Sequence, residues 1–318
     1  MARELFFEQS FAAFEQITDL FDFVWPTSAA MWNLRWQVAG YMKVNPRATV
    51  GELESRFVSG SDIHGANLMR SCIDNSWQEQ QGRFARFLLV DTLSIYESWL
   101  HSVLASLRQD SVENEKDLQF PTNVSARGKL QGVGPALKRI TTPPSSVLSG
   151  ALYPQFLRHS KNSLSNLENI LLCYRYFKEC RNTLVHSGGT STQATLDAFA
   201  AFQAVANPKQ LDFKVVPEHT IPTPGTKIEL RLRGVVGFSG LVLRLIATLD
   251  AELSRAAAAD NLLEGRWRRV HQQPYTLPKK GSPERQEILA RLVRKLGLPT
   301  PLVTPVLEKW ALARRLVN

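Results

Sequence analysis

The apolar residues of the chain fall mostly at helical spacing, and most of the elements they predict are helices. Phe6, Phe7, Phe11, Phe14, Phe21 and Phe23 predict a first helix over residues 3–24, ended by Trp25-Pro26 because proline disfavours helix at the residue before it. Trp32 and Trp36, one turn apart, predict a second helix with both indoles in the core, and polar loops are expected at Asn45-Pro46 and Ser59-Gly60-Ser61. The longest row is Phe84, Phe87, Leu88, Leu89, Leu93, Tyr96, Trp99, Leu100, Val103 and Leu104 over residues 83–108, the wide apolar face of a bundle helix. Glu97 lies within that face, in line with Leu93, Leu100 and Leu104, where a carboxylate requires a partner.

Residues 120–150 are rich in proline and glycine and read as an insertion between helices. A strong helix starts near Ser165, where Ser165-Asn166-Leu167-Glu168 fits a capping box. Its apolar row, Leu167, Ile170, Tyr174 and Phe177, is continued by Arg181 and then Leu184, and Gly188-Gly189 supply the stop. Ile228, Leu230 and Leu232 alternate with Glu229, Arg231 and Arg233, which predicts a half-buried strand pairing with Asp212–Val216, a small β-hairpin within 211–234. Further helices are predicted over Phe238–Ala258, from Ser282-Pro283 to Gly297, and from Thr304-Pro305 onward. The fold class is mainly α: an antiparallel helical bundle over 83–258, carrying the 120–150 insertion and the hairpin, with a helical N-terminal extension (1–82) and a helical C-terminal tail (259–318).

Composition adds the compartment and the charge. At 318 residues, 44% hydrophobic and 21% charged, the chain is long and apolar enough for a sizeable core. The odd set Cys72, Cys173 and Cys180 argues against a disulfide framework or a cysteine-held zinc, and for a reducing compartment. The start has no basic, apolar leader, and no apolar run of bilayer length is evident, so a cytoplasmic protein without a membrane partner is expected. The net charge is +9, and residues 256–318 hold twelve Lys/Arg against five Asp/Glu, a surplus of seven. Such a surplus attracts polyanions. Arg266, Arg268, Arg269, Lys279 and Lys280, with Trp267 among them, form a candidate nucleic-acid surface: cations for phosphates and an indole for a base.

Arg181 is out of place on an apolar stripe, where a charged side chain calls for a partner or a purpose. It opens Arg181-Asn182-Thr183-Leu184-Val185-His186, late in an amphipathic helix. Asn182 and His186, four apart, share a face; Arg181 and His186, five apart, are turned by roughly 140° unless the helix ends between them. The Arg-Asn-x-x-x-His pattern resembles the signature of the HEPN superfamily, with the Glu97 helix resembling the one that precedes the motif and the 238–258 helix closing the bundle. The resemblance covers residues 83–258 and is carried by 181–186. It implies a metal-independent endoribonuclease with no cofactor, a homodimer in which two motifs form one cleft, RNA as partner, and a role as a toxin or in antiphage defence. The chemistry would be attack of a ribose 2′-OH on phosphorus. An imidazole, which titrates near neutrality, moves protons; a guanidinium holds the phosphate oxygens. His186 and Arg181 would take these roles, Asn182 would orient His186 or bond the phosphate, and Glu97 would hold Arg181.

Arg266-Trp267-Arg268-Arg269-Val270-His271 repeats the Arg-x4-His spacing without the asparagine, in a polar stretch. Two other readings are carried alongside: a non-catalytic HEPN-like module binding nucleic acid or a regulatory protein partner, and a DNA-binding protein. The latter would use Gly132-Val133-Gly134, which resembles the glycine turn of a helix-hairpin-helix motif, with backbone N–H groups free for a phosphate. Asp62 and His64 lack the companions of a metal site, and Gly237-Phe238-Ser239-Gly240 lacks the spacing of a nucleophile elbow.

Overall fold

The first helix outruns its phenylalanine row. In the computed structural model, which describes residues 4–280 and 282–318, α1 (Glu8–Val44) continues through Pro26. The expected stop at Trp25-Pro26 does not occur because Pro26 lies on an exposed flank, where water can solvate the carbonyl that its missing N–H leaves free. Trp32 and Trp36 consequently ride on the outer part of α1 and are not core residues; Trp36 is 59% exposed, and Trp32 packs edge-on to it and against Trp77.

α2 (Val50–Phe57) is opened by a Thr49/Glu52 capping box and followed by a π-helical turn, Met69–Asp74. α3 (Trp77–Ser106), opened by a Ser76/Glu79 box, runs back along α1: Trp99 Nε1 donates to Ser10 Oγ at 2.9 Å at one end, and Trp77 meets Trp32 at the other. After α4 (Val112–Asp117), the 120–150 insertion folds into the two-stranded sheet Asn123–Val124/Leu130–Gln131 and α5 (Val133–Ile140), and leads through a π-helical turn, Leu148–Leu152, to α6 (Tyr153–Phe156). α7 (Leu167–His186), α8 (Gln193–Gln203) and α9 (Leu232–Leu253) follow, then α10 (Ala259–His271), α11 (Pro283–Lys295) and α12 (Thr304–Ala313).

The core is shared by α1, α3, α7 and α9. Tyr96 of α3 meets Tyr174 of α7 at 4.9 Å, Phe177 stacks on Phe238 of α9 at 4.5 Å, and Thr92 bonds Ser239 at 2.9 Å. Each such ring contributes about 2–3 kcal/mol through burial, and each ring pair about 1 kcal/mol more. Trp267, Leu289, Leu307 and Trp310 belong to the same apolar cluster as the first half of α1, so neither 82/83 nor 258/259 is a break in packing. The outer half of α1 makes a separate small cluster, in which Val38 packs with Leu53, Leu68 and Cys72.

Two expectations fail for identifiable reasons. Ser165 does not cap α7; residues 164–166 take a 3-10 turn, and Glu168 instead accepts from the Thr122 N–H and hydroxyl, both at 2.6 Å. The 211–234 hairpin is also absent. Ile228, Leu230 and Leu232 are buried and their neighbours exposed, as the alternation requires, but the segment is extended without a strand ladder and passes into α9 at Leu232. The intended partner strand packs elsewhere: Phe213, Pro217 and Glu218 press on the glycine face of α9 made by Gly240, Gly237 and Gly234. α9, with a mean hydropathy of 1.6 over its most apolar window, is long and apolar enough to cross a membrane, contrary to the sequence expectation, yet 67% of that window is buried inside the molecule as a core helix.

Candidate functional site

The apolar row of α7 carries Arg181 to the edge of the core, one turn beyond Phe177, and there α3 presents Glu97. Arg181 Nη2 donates to Glu97 Oε1 at 2.7 Å, and Lys178 Nζ reaches the same oxygen at 2.9 Å. Lys178 also donates to Gln119 Oε1, which accepts from the Tyr174 hydroxyl at 3.3 Å. Two cations on one carboxylate leave a positive charge uncompensated. The Arg181 side chain is 21% exposed, and its Nε is buried with no partner. A buried donor left without an acceptor is costly, and more so in a region of reduced dielectric.

His186 is the last residue of α7, exposed, and has no partner among the described residues. The helix stays regular up to it, so Arg181 and His186 are separated by roughly 140° and about 7.5 Å along the axis. Asn182 Nδ2 lies at the edge of hydrogen-bond range from Glu179, at 3.5 Å. The turn after His186 is fixed: the Ser187 and Gly189 N–H groups both donate to Thr183 O at 3.0 Å, and Gly188 and Gly189 take φ of +59° and +85°, which glycine adopts without cost. Thr183 Oγ1 bonds Thr195 Oγ1 at 2.9 Å and ties the end of α7 to α8. Glu97 and Arg181 are therefore brought together, while Asn182 and His186 face another side of the same helix.

Comparison of the chain with protein-family models, with curated proteins and with solved structures gives no significant match. The HEPN resemblance thus rests on the residues themselves.

In the basic tail, the stacking indole that the sequence suggests is not on the surface. Trp267 is 1% exposed, packed against His271 and Trp310, and offers no face to a base. Arg268 pairs with Glu264 at 2.8 Å and donates to Arg314 O at 2.9 Å; Arg269 pairs with Glu8, and Arg266 lies 3.5 Å from the same carboxylate. α10 buries Leu263 and Trp267, one turn apart, and lays its arginines across acids from distant parts of the chain. Lys279 and Lys280 are exposed on the loop before α11. His271 of the second Arg-x4-His copy is bonded to Leu292 O at 3.1 Å, and burial lowers its pKa. The glycine turn is likewise committed inward: the Val133 N–H donates to Phe120 O at 2.9 Å and the Gly134 N–H to Thr122 Oγ1 at 3.0 Å, so these amides are not free for a DNA phosphate. Asp62 and His64 border a shallow surface hollow, and no cluster of metal-ligating side chains exists among the described residues.

Sequence reasoning missed a groove beside the start of α3. It is lined by Arg83, Arg86, Lys227 and Arg231, with Glu79 and Glu229. The available signals were the i, i+3 pair Arg83/Arg86 on the polar face of α3 and the outward positions of the 227–232 alternation.

Proposed function

We infer that the chain is a metal-independent endoribonuclease that cleaves RNA by transesterification, acting in the cytoplasm as a homodimeric toxin or antiphage effector. The observation that carries this reading is the end of α7: an exposed, unpartnered His186 closes the helix on which Arg181, anchored by Glu97, keeps a buried N–H unused. In the reaction a base takes the 2′-OH proton as the oxygen attacks phosphorus. The bond to the 5′ oxygen breaks and that oxygen is protonated. The products are a 2′,3′-cyclic phosphate and a 5′-OH. His186 is the proton carrier and Arg181 the holder of the phosphate oxygens. Because the two point to different sides of one helix, the reading requires a second copy, whose His186 faces the first copy's Arg181.

Total RNA incubated with purified protein in EDTA tests this. Wild type should give fragments with 2′,3′-cyclic phosphate ends, and Arg181→Ala and His186→Ala should each lower the rate by about 10²-fold or more. Equal cutting by wild type and both variants would remove the site. A second reading, a non-catalytic HEPN-like RNA-binding module, is favoured by the ion pair that occupies Arg181. It predicts RNA binding with no fragments at any protein concentration.

A further inference from the structure

The first turns of α3 and the segment leading into α9 enclose a groove of about 770 Å³. Arg83, Arg86, Lys227 and Arg231 line it, all four are exposed, and none forms an ion pair among the described residues. Five arginines of the tail, Arg266, Arg268, Arg269, Arg285 and Arg314, instead each lie against a carboxylate. Of the two acids in the groove, Glu79 is engaged by its own helix cap, accepting from the Ser76 N–H at 2.5 Å. Four cations against two acids leave a positive surplus in the groove, and a polyanion relieves that repulsion with release of its own counterions.

The groove also has a position relative to the candidate chemistry. Lys227 pairs with Thr190, and the Ile228 N–H donates to Gly189 O at 2.8 Å, so its far wall is stitched to the turn that follows His186. Phe87, one turn beyond Arg83 on the same flank of α3, is 71% exposed and offers a ring face to an unpaired base. We propose that this groove carries the phosphodiester backbone of a single-stranded RNA toward His186. The choice of RNA rests on the ribonuclease reading. The cations supply affinity without sequence preference, and the exposed ring selects strands whose bases are free to splay over duplexes.

The test is anisotropy of a short fluorescent 2′-O-methyl oligonucleotide, which lacks the attacking hydroxyl, across a salt series. Wild type and His186→Ala should bind alike. Arg83→Glu/Arg86→Glu should weaken binding at least ~tenfold at 0.1 M salt. It should also make the slope of log affinity on log salt shallower by ~1.4, which is ~0.7 for each of two phosphates no longer neutralised. Arg83→Gln/Arg86→Gln, a milder change on an exposed helix face, should fall between, with unchanged far-ultraviolet circular dichroism. Equal binding by wild type and both double variants overturns the proposal. So does absence of binding by wild type, or tighter binding of duplex DNA or polyglutamate. If the oligonucleotide binds through Arg83 and Arg86 while ordinary RNA is never cut, the groove stands and the catalytic reading falls.

Discussion

Asp250 shows how much a single buried side chain organises. One carboxylate oxygen accepts the Phe6 N–H at 2.7 Å, and the other accepts the Phe7 N–H at 3.0 Å and the Ser10 hydroxyl at 2.6 Å, which closes the open end of α1 onto α9. Burial nevertheless outweighs these bonds and pushes the carboxyl up to about 6. A carboxyl raised in the folded state binds its proton more tightly there than in the unfolded chain. Its contribution is therefore fully present below the unfolded value near 4 and is lost as pH rises through about 6. Urea midpoints of wild type and Asp250→Asn should accordingly converge or cross between pH 4 and 7, with a relative change of up to ~3 kcal/mol. Parallel curves would show that Asp250 stays charged throughout. The Arg181–Glu97 contact is legible in the sequence because each residue interrupts an apolar row, and two misplaced opposite charges on neighbouring helices can compensate each other. The fate of Trp267 and its arginines is not legible there: a net-charge count in the tail cannot include Glu8, far away in sequence, that meets Arg266 and Arg269.

Among elements, those with a long apolar period are readable and those decided by a neighbour are not. α7, α11 and α12 lie close to where their patterns put them, while α3 and α9 exist as expected but each begins six residues earlier. The extended 227–231 segment reads as a strand because alternate burial requires only two environments, one on each side, and not a hydrogen-bonded partner. Ser165 fails as a cap because Thr122, remote in sequence, competes for Glu168. Pro26 is overridden by packing, since the residues on both sides of it, Val24 and Ser28, are buried against the rest of the molecule. Replacing it should therefore strengthen α1. Pro26→Ala restores a backbone donor within a helix, and a gain of ~1–3 kcal/mol, read as a higher thermal midpoint, is the expected result. A lower midpoint would mean that a bend at Pro26 is required for α1 to serve both apolar clusters.

On the scale of the whole molecule, the two clusters differ greatly in size. The larger joins the first half of α1 to α3, α7, α9 and the final helices, whereas the smaller rests on Val38, Leu53, Leu68 and Cys72. Opening free energy follows the amount of apolar surface buried, so the 45–75 region should open below the global limit. Hydrogen exchange read by mass spectrometry should find amides there exchanging at least tenfold faster than those of α3 and α9. Uniform protection would mean a single cooperative unit.

The grip of Asp250 on Phe6 and Phe7 also has a consequence for synthesis. The two ends of that contact are 244 residues apart. A ribosome adding ~5–20 residues per second needs roughly 12–50 s to make the second after the first. Throughout that interval the phenylalanines at the start of α1 have emerged without the helix that will cover them. Burial of these phenylalanines therefore waits for α9, and until α9 is free the nascent chain presents an apolar segment that a holding chaperone would be expected to occupy.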